Sequence, residues 1–104
     1  MKLQTQIQDC KVRQDLVDKT EQMIYNLEDK QTRIISGKLW FKEIENDHEK
    51  NKIVEIILQL PGVKVFSLSQ EMSFENAITE AIDNAKNQLQ KYKNKYQSDK
   101  INTI

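Results

Sequence analysis

The sequence predicts an α+β domain, β-α-β-β-β-α, in which four strands form one mixed sheet and two helices pack on one face of it. Two kinds of periodicity and one turn lead to this prediction. Some segments alternate between apolar and polar residues, as strands do, while two longer ones repeat apolar residues at spacings of three and four, as helices do. Pro61-Gly62 marks a tight turn between two of the strands.

The first half of the chain predicts a strand, a helix and a second strand. Residues 2–8 alternate, with Leu3, Thr5 and Ile7 on one side. Residues 13–30 have helical spacing, carried by Leu16, Thr20, Met23, Ile24 and Leu27. Residues 33–45 alternate again, with one phase formed by Ile35, Gly37, Leu39 and Phe41. A helix between two strands makes a right-handed crossover, so we expect these strands to be parallel.

The second half predicts two antiparallel strands and a longer helix. A polar turn at 45–51 precedes a strand with the phase Val54, Ile56, Leu58 and Leu60. At Pro61-Gly62 the proline presets φ and the glycine accepts a positive φ, which indicates a type II turn. A short strand follows, from about Lys64 to Ser69, and Ser73 then caps the helix. The helix stripe runs to about residue 95 through Phe74, Ala77, Ile78, Ala81, Ile82, Ala85, Leu89 and Tyr92.

These phases define the expected core and the domain boundary. The core should contain Leu3, Ile7, Leu16, Ile24, Leu27, Leu39, Val54, Ile56, Leu58, Phe74, Ile78, Ile82 and Leu89. Because both helices have one apolar stripe, we expect them on the same face of the sheet, with the other face open to solvent. The length of 104 residues suits one domain, at residues 1–97, followed by a frayed tail at 98–104.

The composition narrows the class of protein. No apolar run approaches the roughly 20 residues of a membrane span, and the first residues lack the apolar core of a signal peptide, so we expect a cytoplasmic protein. Cys10 is the only cysteine of the chain. His48 is the only histidine, and it lies in a polar turn between two acidic residues. A metal site or a Cys–His pair would need further partners, so we expect no cofactor, no metal and no catalysis.

Charge is unevenly distributed along a chain whose net charge is zero. Residues 86–104 have five lysines against one aspartate, a net +4, which leaves −4 on residues 1–85. A basic end of this kind favours an anionic partner. Lysines at a helix C-terminus also stabilise the helix dipole, so this pattern alone leaves both interpretations open.

Several segments, in order and at the same spacing, resemble the family of ribosome hibernation-promoting factors, which includes the ribosome-associated inhibitor and the sigma-54 modulation proteins. The resemblance covers residues 2–96. It is carried by Lys52-Ile53-Val54-Glu55-Ile56, Pro61-Gly62, Val65-Phe66, Ser73-Phe74-Glu75-Asn76-Ala77-Ile78 and Gln88-Leu89-Gln90-Lys91-Tyr92-Lys93. The chain looks like the short form, without the dimerisation domain of longer members. It departs from the family in its first helix, which is less basic.

The resemblance implies a protein that sits in the mRNA and tRNA channel of the small ribosomal subunit, against rRNA, and keeps ribosomes inactive under stress or in stationary phase. It also implies no membrane partner and no small-molecule substrate. Together with the +4 segment, it predicts an rRNA-facing surface built mainly from Lys86, Lys91, Lys93 and Lys95. Lys19, Lys30 and Arg33 should contribute from the side of the first helix.

Two alternatives stay open. One is a protein-interaction module that modulates a transcription or translation factor through the open sheet face or the acidic first helix. Trp40, Ile53 and Ile57 fall in the phase of that face and could form an apolar patch, although isolated exposed apolar residues are common. A generic double-stranded RNA binder is the other alternative, and the first strand and its crossover helix argue against it.

Overall fold

A computed structural model describes residues 1–45 and 50–102, with side chains as far as Asn94. The elements are β1 (Lys2–Gln8), α1 (Gln14–Tyr25), β2 (Ser36–Glu43), β3 (Lys52–Leu60), β4 (Val63–Glu71) and α2 (Phe74–Asn102). The predicted order β-α-β-β-β-α is confirmed. No helix in these two ranges is long and apolar enough to cross a membrane.

The four strands form one mixed sheet in the order β1-β2-β3-β4. β1 and β2 are parallel, as expected for strands joined by a helix, and the two later pairs are antiparallel. Gly62 has φ of 74°, the positive value that the third position of a type II turn requires. The Pro61-Gly62 turn sets the register of the last hairpin, in which Leu60 is paired with Val63.

Both helices cover one face of the sheet, and the core lies between the two layers. The strand residues that face the helices are buried, and α2 packs on β3 and β4. Phe41 of β2 and Phe74 at the start of α2 meet edge to face, with their ring centroids 5.6 Å apart. Ser73 caps α2 as predicted, since its Oγ accepts the N–H of Asn76 at 3.2 Å.

Most of the predicted core is confirmed. The fully or nearly buried members are Ile24, Leu27, Leu39, Val54, Ile56, Leu58, Phe74, Ile78, Ile82 and Leu89. Leu3 and Leu16 are partly buried against them. Ile7 was wrongly placed in the core, because it lies near the end of an edge strand and is 45% exposed. An edge strand has a neighbour on one side only, so alternation overstates the burial of its last residues.

Two other predictions need correction, both around the segment from Asn26 to Ile35, which we call the connector. The first helix ends at Tyr25 rather than near residue 30. Asp29 accepts the backbone N–H groups of Gln31 and Thr32, and such local side-chain bonds compete with a continuing helix. The second strand begins at Ser36, so Ile35 is 49% exposed, whereas its neighbour Ile34 is 1% exposed.

The remaining predictions concern the fourth strand, the C-terminal end of the chain and the turn that contains His48. The fourth strand is longer than predicted, at Val63–Glu71, and α2 is helical to Asn102, beyond the stripe that ends near residue 95. The domain boundary at residue 97 and the fraying of residues 98–104 stay predictions. His48 and its solvated turn lie outside the described residues.

Candidate functional site

The charged residues of α2 are segregated along the helix. Glu75, Glu80 and Asp83 are exposed in its first part, while Lys86 and Lys91 are exposed further along. Only Glu75 lies in the first turn of α2, where the helix dipole favours an acid, whereas Lys86 and Lys91 lie eleven or more residues before Asn102 and therefore outside the last turn. The pKa of Glu80 is raised because its carboxyl group shares a hydrogen bond with that of Glu71. The acidic residues of α2 therefore precede the basic ones along the helix, and the two groups meet where Asp83 lies three residues before Lys86.

Among the predicted site residues of α2 whose side chains the structure describes, Lys86 and Lys91 are the exposed ones. Neither forms an ion pair or a hydrogen bond with the described part of the chain. Five residues correspond to a rotation of about 140° around a helix and a rise of about 7.5 Å. The two ammonium groups therefore point to different sides of the solvent-facing surface of α2, where each is free to meet an anion.

Lys93 differs from these two because its charge is compensated. Its ammonium group forms an ion pair with the carboxylate of Asp29 in the connector, and its side chain is only 20% exposed. This hydrogen bond to Lys93, together with those from Gln31 and Thr32, lowers the pKa of Asp29 below its usual value. Lys93 therefore attaches the connector to α2, and it would have to exchange Asp29 for a phosphate in order to bind one.

The same ion pair brings Lys30 and Arg33 to this end of α2. Both side chains are exposed on the connector, and Lys30 directly follows Asp29. Both were predicted to contribute to the rRNA-facing surface from the side of the first helix. The role of this group of residues in binding stays a prediction.

Lys19 lies apart from this group. It is exposed on α1, six residues before the helix end, which corresponds to about 9 Å along the axis. Asp15 and Asp18 are its exposed neighbours on the same helix, and their charge offsets that of Lys19. The side chain of Lys95 lies outside the described residues, although its backbone is part of α2.

Cys10 lies in an environment that does not suit a nucleophile. Its Sγ is 3.6 Å from the backbone carbonyl oxygen of Phe41, to which the thiol donates. Burial raises the pKa of the Cys10 thiol, although the backbone N–H of Gln8 and the charge of Lys52 act in the opposite direction. Nucleophilic cysteines have a lowered pKa, so the surroundings of Cys10 do not activate its thiol.

The open sheet face is the surface that the sequence interpretation described least completely. Trp40 lies on it, as its phase predicted, but is half-buried beneath Lys42, whose Nζ is 4.2 Å from the ring centroid. Phe66 and Leu68 of β4 lie on the same face and are each 51% exposed. In the sequence, Phe66 and Leu68 alternate with Val65, Ser67 and Ser69, and this alternation indicates that Phe66 and Leu68 lie on the open face. The pattern was hard to recognise because two of the core positions are occupied by serine, a small polar residue.

The fold and the exposed lysines of α2 define a small α+β domain that presents positive charge to an anionic partner. The chain belongs to the family described as Sigma 54 modulation protein / S30EA ribosomal protein, whose family model matches residues 3–97. This match covers nearly the whole chain and confirms the resemblance seen in the sequence. A comparison with curated protein sequences finds no match.

Solved structures have the same fold. A ribosomal subunit interface protein from Coxiella burnetii superposes with a TM-score of 0.76 at 22% identity, over 89% of this chain and 98% of that one. The N-terminal domain of Protein Y from Thermus thermophilus superposes with a TM-score of 0.71 at 20% identity, over 88% of this chain and 99% of that one. At this level of identity, the likeness concerns the fold.

Proposed function

We propose that this chain is a ribosome hibernation factor of the cytoplasm. It binds the small ribosomal subunit in the mRNA and tRNA channel, against rRNA, and holds idle ribosomes out of translation under stress or in stationary phase. Membership of the family supports a ribosomal partner. The name of the similar Coxiella burnetii structure, a ribosomal subunit interface protein, points in the same direction.

The observation that carries the proposal is the pair of unpaired, exposed lysines on α2, Lys86 and Lys91. A cation that contacts a nucleic-acid phosphate releases condensed counterions, and this release supplies affinity without reading the base sequence. Lys30 and Arg33 extend the cationic surface from the connector. Lys93 and Lys95 belong to the proposed contact as well, Lys93 after it leaves Asp29, while Lys19 makes a weaker, more distant contribution.

Charge reversal of the unpaired lysines tests this contact. We expect the variant Lys86→Glu/Lys91→Glu to lose co-sedimentation with purified small ribosomal subunits, because two attractive contacts with phosphate become repulsive. The fourfold variant, with Lys93→Glu and Lys95→Glu added, should show the same loss. For wild type, the slope of log affinity against log salt should exceed that of Lys86→Ala/Lys91→Ala by about 1 to 2, since each phosphate contact adds roughly 0.7–0.9.

The matched control is Lys11→Glu/Arg13→Glu, which changes the net charge by the same amount. These exposed residues precede α1, whereas the connector follows it, and a 12-residue helix separates the two ends by about 18 Å. The control should sediment with subunits as wild type does, and circular dichroism should show both variants folded. If the folded α2 variant sediments normally, Lys86 and Lys91 do not contact the subunit and the contact lies elsewhere.

A further inference from the structure

The face of the sheet that the helices leave uncovered has an apolar centre. In one row across the strands, Ile57 of β3 is paired with Phe66 of β4 and with Lys38 of β2. In the next row, Glu55 is paired with Leu68 and Trp40. The Phe66 ring makes no ring or cation–π contact with the described part of the chain. Phe66 stands at the end of its row, on the edge strand β4, and an aromatic side chain that is half exposed there is available for stacking.

Lysines surround this centre, and all but Lys42 lack a carboxylate partner within the described residues. Lys2, Lys38 and Lys64 are exposed on the same face, and none of them has an ion pair within the described residues. Glu55 is the only carboxylate among the described strand residues of that face, and it is already paired with Lys42 at 3.0 Å. The face is therefore positively charged, although the chain as a whole is neutral.

Amide side chains complete the surface. A shallow cavity of about 400 Å³ lies over β1 and β2, and Gln4, Gln6, Lys38 and Trp40 are among the residues that line it. Glutamine amides offer both a donor and an acceptor, the combination that the edges of unpaired bases require. The indole N–H of Trp40 is buried beneath this surface and has no hydrogen-bond partner within the described residues.

From these observations we propose that the open sheet face binds a single-stranded RNA segment. Unpaired bases stack on Phe66 beside Leu68 and Ile57, and the phosphates are held by Lys38 and Lys64. Proteins that bind single strands combine stacking aromatic residues with a cationic surface in this way. The site goes beyond the proposed contact with the small subunit and does not depend on it, because it lies on the opposite face of the domain from α2.

The composition of the face favours RNA over a protein partner. Protein interfaces are enriched in arginine and depleted in lysine, because lysine is strongly hydrated and pairs less specifically. All the cations of this face are lysines, and three of the four are unpaired, as phosphate binding requires. The experiments below must therefore be able to detect a protein partner or a second copy of the chain on this face.

Fluorescence anisotropy with the full chain tests the stacking contact. The probes are a short labelled single-stranded RNA of mixed sequence and the corresponding duplex, and we expect tighter binding of the single strand. Phe66→Ala should weaken this binding by about 5- to 150-fold, the range for loss of one stacked base. Phe66→Leu keeps the apolar contact with the sheet but removes the aromatic ring, so it should also weaken the binding of single-stranded RNA. Tyr25→Ala is the matched control, since Tyr25 is 43% exposed on the helix side, and it should bind as wild type does.

The salt dependence tests the phosphate contacts separately. For single-stranded RNA, Lys38→Ala/Lys64→Ala should lower the slope of log affinity against log salt by about 1.4, at about 0.7 per contact. Lys11→Ala/Arg13→Ala, at the connection between β1 and α1, should leave that slope unchanged. Sedimentation with small subunits, measured on the same proteins, reports on the proposed function independently, so either proposal can fail alone.

Three results would overturn the sheet-face site. The first is the absence of single-strand binding, or binding that the Phe66 and lysine variants leave unchanged while circular dichroism shows them folded. The second is a concentration-dependent dimer in analytical ultracentrifugation that Phe66→Ala dissociates, which would assign the face to a second copy. The third is a protein cross-link from a photoreactive residue at position 66, with RNA affinity unaffected by the variants.

Discussion

Asp29 connects two distant parts of the chain through one carboxylate. It accepts the N–H groups of Gln31 and Thr32 at 2.9 and 2.8 Å, which holds the turn of the connector. It also forms the ion pair with Lys93 of α2, which lies 64 residues further along the chain. One side chain thus orders a loop locally and attaches it to the second helix, and it determines how much of the charge of Lys93 a partner can use.

The charge of Asp29 should contribute to stability in a pH-dependent way. Since Lys93 lowers the pKa of Asp29 in the folded state, this stabilisation is complete above the usual pKa of 3.8 and is lost as the pH falls through the lowered value. We therefore expect Asp29→Asn to melt at a lower temperature than wild type at neutral pH, with the difference narrowing below pH 3.8. Asparagine can still accept the two backbone N–H groups, so the change isolates the charge.

Thermal unfolding followed by circular dichroism, from neutral to strongly acidic pH, measures this difference. Asp83→Asn on α2 is the control, because Asp83 is exposed and has no ion pair within the described residues. The difference in melting temperature between Asp83→Asn and wild type should not narrow in this way at acidic pH. A difference for Asp29→Asn that stays constant with pH would mean that the ion pair contributes nothing to stability.

At the scale of elements, the contact between β4 and α2 is made of small residues. Ser67 donates to the backbone carbonyl of Ala81 at 2.7 Å, and Ser69 donates to that of Ala77. Both serines are buried, and both alanines are fully covered. The hydroxyl groups therefore have partners, and the absence of larger side chains lets the helix approach the strand closely.

This close contact predicts different effects for two substitutions at Ser67. Ser67→Ala should lower the free energy of unfolding by about 0.5–1.5 kcal/mol, the net value of a typical hydrogen bond. Ser67→Leu should add an overpacking cost of about 1–3 kcal/mol, because α2 must move away from β4. Urea denaturation measures both, and a similar m-value in each case shows that the change is one of stability.

Thr79→Ala is the matched control for the hydrogen bond. The Thr79 hydroxyl also donates to a helix carbonyl, that of Glu75 at 3.0 Å, but on the solvent-facing side of α2. Its removal should change stability by less than about 0.5 kcal/mol, as is usual for exposed positions. If Ser67→Leu were as stable as wild type, the proposed steric limit between β4 and α2 would be wrong.

At the scale of the whole molecule, a net charge of zero conceals two separate cationic surfaces. One consists of Lys86 and Lys91 with the nearby connector, and the other consists of the lysines of the open sheet face. The helix layer and the sheet are packed layers of one domain, so the two surfaces face in opposite directions. An anionic partner at one surface leaves the other accessible.

This separation predicts that variants act only in their own assay. Lys86→Glu/Lys91→Glu should lose sedimentation with the small subunit and keep single-stranded RNA affinity. Phe66→Ala should lose affinity for the free single-stranded RNA and keep sedimentation with the small subunit. Their effects on the free energy of unfolding should add within about 0.5 kcal/mol when the variants are combined, because distant sites without shared partners are independent. Loss in both assays from either variant alone would show that one continuous surface serves both partners.

The sequence by itself determined the features that depend on neighbouring residues. Alternation predicted the strands, the spacing of Phe74 to Leu89 predicted α2, and the Pro61-Gly62 turn and the Ser73 cap predicted two element boundaries. The accessible lysines of α2 were also predicted, because their positions relative to the apolar stripe follow from helix geometry. Family membership was recognisable for the same reason, from local segments in a constant order.

Only the tertiary structure decided which predicted positions are covered and which charges are paired. The exposure of Ile7 depends on β1 being an edge strand, and the availability of Lys93 depends on a carboxylate 64 residues away. The cationic character of the open sheet face arises from residues of different strands that pairing brings together. Periodicity reports the direction of a side chain within its own element, whereas burial and ion pairing depend on what the other elements place against it.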